Sequence, residues 1–132
     1  MQELASAVPS TGKHVLCIED EHFINELYAR ALTKAGYRVK VVIDGLEGYK
    51  EAKSDVYDII LLDIMLPNLT GTDMLKQLRA EMPNLRAKII ITTNLELGDE
   101  DRAAIEHQAD GYVVKAELTP RQLVEFLQQL KA

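Results

Sequence analysis

A chain of 132 residues, 47% apolar and 27% charged, has the size and composition of one globular domain with a real core. Its net charge of −6, without a basic run, argues against a surface that grips nucleic-acid phosphates. The single cysteine, Cys17, excludes a disulfide framework and fits a reducing compartment. No apolar stretch approaches the length of a membrane span, and residues 1–13, with Glu3 and no long apolar segment, read as a polar tail rather than a leader. These features predict a cytoplasmic domain over residues 14–131.

In chain order, "HVLCI" (14–18) is a short apolar run that suits a buried strand and ends on "EDE". From Glu21 the period changes: Ile24, Leu27, Tyr28, Ala31 and Ala35 fall at helical spacing, and Gly36 provides the stop. "RVKVVI" predicts a second strand, "LEGYKEAK" a modest helix, and "DIILLD" a third strand ending at Asp63. Residues 71–82 read as a helix with Met74, Leu75, Leu78 and Met82 on one side, ended by Pro83. "AKIIITT" is the fourth strand, 99–108 a polar helix, and "DGYVVK" the fifth strand. The last helix is well marked, with Thr119 as N-cap, Pro120 in its first turn and Gln122 completing a capping box. Leu123, Val124, Phe126, Leu127 and Leu130 form its expected buried face.

Five strands alternate with five helices, and the inner strands are apolar on both faces. Such strands need a parallel sheet covered on both sides, which predicts a doubly wound α/β fold with its site at the carboxyl ends of the strands.

That edge would gather Glu19 and Asp20 from the first strand, Asp63 from the third, Thr92 and Thr93 from the fourth and Lys115 from the fifth. Singly, each has an ordinary explanation as a solvated strand end or a helix start. Together they place polar groups at one end only of four strands. Three carboxylates brought close repel one another unless a cation intervenes, and oxygen ligands without His or Cys suit Mg²⁺. An ionised Asp needs no general base to act as a nucleophile. A divalent ion and one Lys would relieve its repulsion toward an incoming phosphoryl group, and a Thr hydroxyl would bond a phosphoryl oxygen. Asp63, which follows four apolar residues, is thereby the candidate phosphoryl acceptor.

"CIEDE", "DIILLDIMLPNLTG", "IIITTN" and "GYVVK" together resemble the receiver domain of bacterial two-component response regulators, over residues 14–131. The resemblance implies a flavodoxin-like sheet in the order 2-1-3-4-5 with five helices. It also implies phosphorylation of Asp63 by a sensor histidine kinase or histidine phosphotransfer protein. Asp20 and Asp63 would ligate Mg²⁺ directly, with Glu19 acting through water and Met65 through its backbone carbonyl. Lys115 would pair with the phosphoryl group, while Thr93 and Tyr112 would act as switch residues. Pro67 and Gly71 match the family's turn after the acceptor. The chain would catalyse its own phosphorylation and a slow dephosphorylation, since Met65 and Leu95 border the approach of water and cannot orient one. Partner binding would change on the face of the fourth helix, fifth strand and last helix. A downstream protein, an output domain or a second copy in a phosphorylation-dependent homodimer would dock there. Neither a nucleic acid nor a membrane is expected as a direct partner. The chain departs from the pattern at Ala116, where receivers commonly have a proline after the lysine.

Other readings compete less well. "STGKH" has Ala7 and His14 where a phosphate loop needs Gly and Ser or Thr. "EDE" would repel the phosphate of a flavin. A phosphatase with a nucleophilic Asp commonly shows a second Asp two residues on, where this chain has Met65. A receiver-like scaffold working without phosphorylation would be expected to lose part of the Asp20, Asp63, Thr93 and Lys115 set. No pocket-forming insertion or acid–base pair suggests a small-molecule enzyme. His14, His22 and His107 are expected in surface or structural roles, and Asp110 and Arg121 as solvated charges that resemble part of a dimerising set.

Overall fold

The computed structural model describes residues 12–94 and 98–130. Most of the expected N-terminal tail (1–11) and Leu95 lie outside them. Five strands, β1 (His14–Ile18), β2 (Arg38–Val42), β3 (Ile59–Asp63), β4 (Lys88–Thr93) and β5 (Gly111–Val114), form one parallel sheet in the order β2-β1-β3-β4-β5. Between them run α1 (His22–Lys34), α2 (Gly45–Ala52), α3 (Gly71–Glu81) and α4 (Asp99–Gln108). A 3₁₀ turn (Lys115–Glu117) leads into α5 (Pro120–Gln128). Among the described residues, no helix is long and apolar enough to cross a membrane.

Alternation along the inner strands feeds two cores. Ile60, Leu62, Ile89 and Ile91 pack with Ala52 of α2, Met74, Leu75 and Leu78 of α3 and Ile105 of α4. On the opposite face, Val15, Cys17, Leu61 and Ile90 pack with Tyr28 and Leu32 of α1 and with Leu123, Val124 and Leu127 of α5. Burying one such aliphatic side chain contributes about 1.5–3 kcal/mol. The edge strand β2 is different: Arg38, Lys40 and Val41 are exposed, and its charges discourage pairing with another chain.

The capping box of α5 forms as expected, with the Thr119 side chain accepting from the Gln122 N–H and the Gln122 side chain accepting from the Thr119 N–H. α1 departs from expectation. Its fully buried line is Asn25, Tyr28 and Leu32, whereas Ile24, Leu27, Ala31 and Ala35 are half-buried at its flanks. A polar Asn thus holds a core position that its residue type did not suggest.

Candidate functional site

Asp63 is the last residue of β3 and lies in register with Thr92 of β4. Its backbone meets Gly71 at close range: a Cβ there would lie 2.2 Å from the Asp63 carbonyl oxygen, while the Gly71 N–H donates to the Ile64 carbonyl at 2.9 Å. Only glycine fits where α3 starts against the strand end. The loop between is tied to the start of α2, because the Gly45 N–H donates to the Pro67 carbonyl at 3.0 Å and the Asn68 side chain donates to Asp44. Asn68 adopts φ of 70°, a left-handed conformation that Asn tolerates in turns. The acceptor loop is therefore fixed at both ends.

At the next strand ends the expected groups converge. Lys115 Nζ lies 2.5 Å from Glu19 Oε1 and 3.2 Å from Asp63 Oδ2, with all three side chains buried. The second oxygen of Glu19 accepts from the Glu21 N–H at 3.1 Å, and Asp63 Oδ1 accepts from the Met65 N–H at 3.2 Å. Carboxylate oxygens of Glu19, Asp20 and Asp63 all lie within 4.8 Å of one another, with Asp20 facing solvent. Two buried acids thus share one ammonium, with the exposed Asp20 carboxylate beside them. Burial pushes the Glu19 carboxyl above its usual range; the Lys115 hydrogen bond offsets this in part, and the Asp63 charge adds to it. Burial pulls the Lys115 ammonium down, but its bond to Glu19 and the charge of Asp63 outweigh that and leave it raised.

Every peptide bond among the described residues is trans, including Lys115–Ala116, and the 3₁₀ turn that follows still delivers Lys115 to both carboxylates. Met65 contributes its N–H to Asp63, and its side chain is 62% exposed. Thr92 and Thr93 are both buried at the end of β4, and Thr93 pairs with Val114 of β5. Tyr112 is half-buried on β5 with the Arg102 guanidinium 5.6 Å from its ring centroid, and Arg102 is itself bonded to Glu106 at 3.0 Å. Tyr112 and Arg102 border a cavity of about 570 Å³ between α4, β5 and α5, with Leu118 and Phe126 on its wall.

Asp110 differs from a solvated charge. It bonds Arg79 of α3 at 3.0 Å and accepts from the Ile89 N–H at 2.8 Å, so it is engaged within the chain; Arg121 is exposed. The His14 ring packs on Tyr57 with centroids 4.5 Å apart, while His22 and His107 are exposed.

The donor set fits a hard divalent ion: three carboxylates, no imidazole or thiolate among them, and one acid open to water. Cys17 does not join them. Burial, then the Glu19 charge, push its thiol up to about 12, so it stays protonated and inert. Its partner Asn25 was not anticipated as part of this edge; the signal was a polar residue on an apolar helical stripe.

Residues 15–128 match the family model of the response regulator receiver domain, and the chain belongs to that family. It is 36% identical over 118 residues to an uncharacterized transcriptional regulatory protein, YcbL, of Bacillus subtilis, covering 89% of this chain and 49% of that one. It is 38% identical over 101 residues to the transcriptional regulatory protein CusR of Escherichia coli K12, covering 76% and 44%. The chain therefore spans about half the length of the curated relatives it matches. The chemotaxis response regulator CheY4 of Vibrio cholerae superposes with a TM-score of 0.79 at 28% identity, covering 90% of this chain and 98% of that one. The BeF3-activated receiver domain of RstA from Klebsiella pneumoniae gives 0.76 at 26% identity, covering 87% and 95%. Family and fold agree with the sequence resemblance, and membership carries a phosphorylation-controlled signalling role.

Proposed function

We propose that Asp63 is the phosphoacceptor of a Mg²⁺-dependent signalling switch. A carboxylate oxygen of Asp63 attacks the phosphorus of a phosphohistidine on a sensor kinase or phosphotransfer protein. The P–N bond breaks, and the imidazole leaves with the electron pair. Mg²⁺, when bound, would neutralise charge on the phosphoryl oxygens; Asp63 and Asp20 would hold it directly, with Glu19 through water and the Met65 carbonyl. Lys115 supplies the second positive charge, and the Thr93 hydroxyl bonds a phosphoryl oxygen once the acyl phosphate has formed. Tyr112 turns inward behind Thr93, which changes the α4–β5–α5 face where a downstream protein, output domain or second copy docks. Residues 14–131 would constitute this unit, with 1–13 a tail.

One observation carries the reading: a buried ammonium clamped between two buried carboxylates beside an exposed third. A purely structural ion pair would not need the third acid. The test is intact mass after incubation with acetyl phosphate and Mg²⁺. Wild type should gain one phosphoryl group and Asp63→Asn none; equal labelling of both would remove Asp63 from the role.

A further inference from the structure

Asn25 sits on the buried line of α1, and its amide is used at both ends. Oδ1 accepts from the Cys17 thiol at 3.3 Å, and Nδ2 donates to the main-chain carbonyl of Glu19 at 2.5 Å. A buried amide is costly unless satisfied, so these two bonds together select one rotamer. They act where β1 runs out of ladder. Its register with β2 ends at Ile18–Val42, and the Glu19 N–H then donates to the Val42 carbonyl at 3.0 Å.

Asn25 therefore holds the carbonyl of the peptide that joins Glu19 to Asp20. Glu19 and Asp20 flank this peptide, so its tilt bears on both carboxylates: Glu19 reaches Lys115, and the exposed Asp20 still brings a carboxylate oxygen within 4.8 Å of those of Glu19 and Asp63. The Glu21 N–H, bonded to Glu19 Oε2 at 3.1 Å, reports whether the Glu19 carboxylate keeps that pose.

We infer that Asn25, held by the Cys17 thiol, is a positioning residue for the divalent-cation site, orienting Glu19 and Asp20 through their shared peptide without touching the cation. This rests on the reading of the acidic edge as a Mg²⁺ site. Outer partners that orient ligands typically change metal affinity ten- to a hundredfold when removed.

The test titrates magnesium chloride into wild type, Asn25→Leu and Cys17→Ala by calorimetry. Exchange of the Glu21 amide, relative to β3 amides, is followed on the same proteins without metal. Asn25→Leu should raise Kd about ten- to a hundredfold and speed Glu21 exchange; Cys17→Ala, which frees one end of the amide, should shift both in the same direction by less. A merely structural Asn25 would lower the melting temperature while leaving the Kd of the folded protein unchanged, and that result overturns the inference. Where Asn25→Leu fails to fold, Cys17→Ala decides, and unchanged Kd and exchange overturn it. Wild type that binds no Mg²⁺ sinks the metal reading itself and this role with it. Wild-type binding with unaltered variants sinks the positioning role alone.

Discussion

The two ends of the sheet use the same residue types under opposite conditions. At the amino-terminal edge Asp58 accepts from the His14 N–H at 2.8 Å and from Arg86 at 2.6 Å, with the Arg86 side chain 56% exposed. Burial alone would raise the Asp58 carboxyl, but the His14 N–H and the Arg86 guanidinium outweigh it, and its pKa falls below the usual range. At the carboxyl edge Glu19 and Asp63 share one buried ammonium, and Glu19 is raised. One edge satisfies its charge with a main-chain N–H and a half-exposed guanidinium. The other buries two acids against one cation, with the exposed Asp20 beside them. On the proposed reading, such an imbalance would cost the free domain stability and give a cation or phosphoryl group something to relieve, which would separate function at this edge from stability at the other.

The largest test of that contrast is Lys115→Met. It should cost the metal-free domain about 3–5 kcal/mol at neutral pH, because two buried carboxylates lose their partner. The loss should shrink as pH falls and the carboxyls take up protons, and Mg²⁺ should restore part of it. Denaturant melts at pH 7 and pH 4, with and without Mg²⁺, measure this. A cost below about 1 kcal/mol would mean that the site edge is no more demanding than an ordinary surface pair.

Next in size is the gain from the ion itself. Mg²⁺ at a hundredfold excess over Kd should stabilise wild type by about 2.7 kcal/mol, and Asp20→Ala should abolish the shift in melting temperature. Wild type with no shift at millimolar Mg²⁺ would break the contrast, since the acids would then have no occupant to relieve them.

The sequence made one edge more legible than the other. Strand-end identities pointed to Asp63, Asp20 and Lys115 because polar groups gathered at one end only of four strands, and Ala116 did not keep Lys115 from its partners. Burial of Glu19 to 1% was not visible, since an acidic pair before a helix usually reads as solvated. Asn25 was missed for a related reason. One of its partners is a main-chain carbonyl, which no residue pattern encodes, and the other is a thiol that packs as an apolar group. The ties of Asp44 to Asn68 and of Asp110 to Arg79 span 24 and 31 residues, so nothing local marks them. α1 was placed correctly, yet its buried line passes through Asn25 and Leu32 because packing against two neighbours, not hydropathy alone, sets its rotation.

The smallest effect compares the two edges by sign. Asp58 has a folded pKa below its ordinary 3.8, so its carboxylate contributes stability above 3.8 that is lost as pH falls through the folded value. Asp58→Asn should therefore cost about 1 kcal/mol at pH 7, limited by solvent screening around the exposed Arg86, and nothing at the acid end. Glu19 has a folded pKa above 4.5, so its ionisation penalises the fold at pH values above the folded pKa and not below 4.5. Glu19→Gln removes that titration and keeps an acceptor for Lys115. Relative to wild type without metal, Glu19→Gln should gain stability as pH rises from 4 to 7, while Asp58→Asn should lose it over a range that begins lower. Melting temperatures of the three proteins across pH 3 to 7, differing by a few degrees, read this directly. Curves that diverge from wild type in the same direction would mean that Glu19 is settled by Lys115 as fully as Asp58 is by Arg86, and that the carboxyl edge holds no unrelieved charge for a ligand to use.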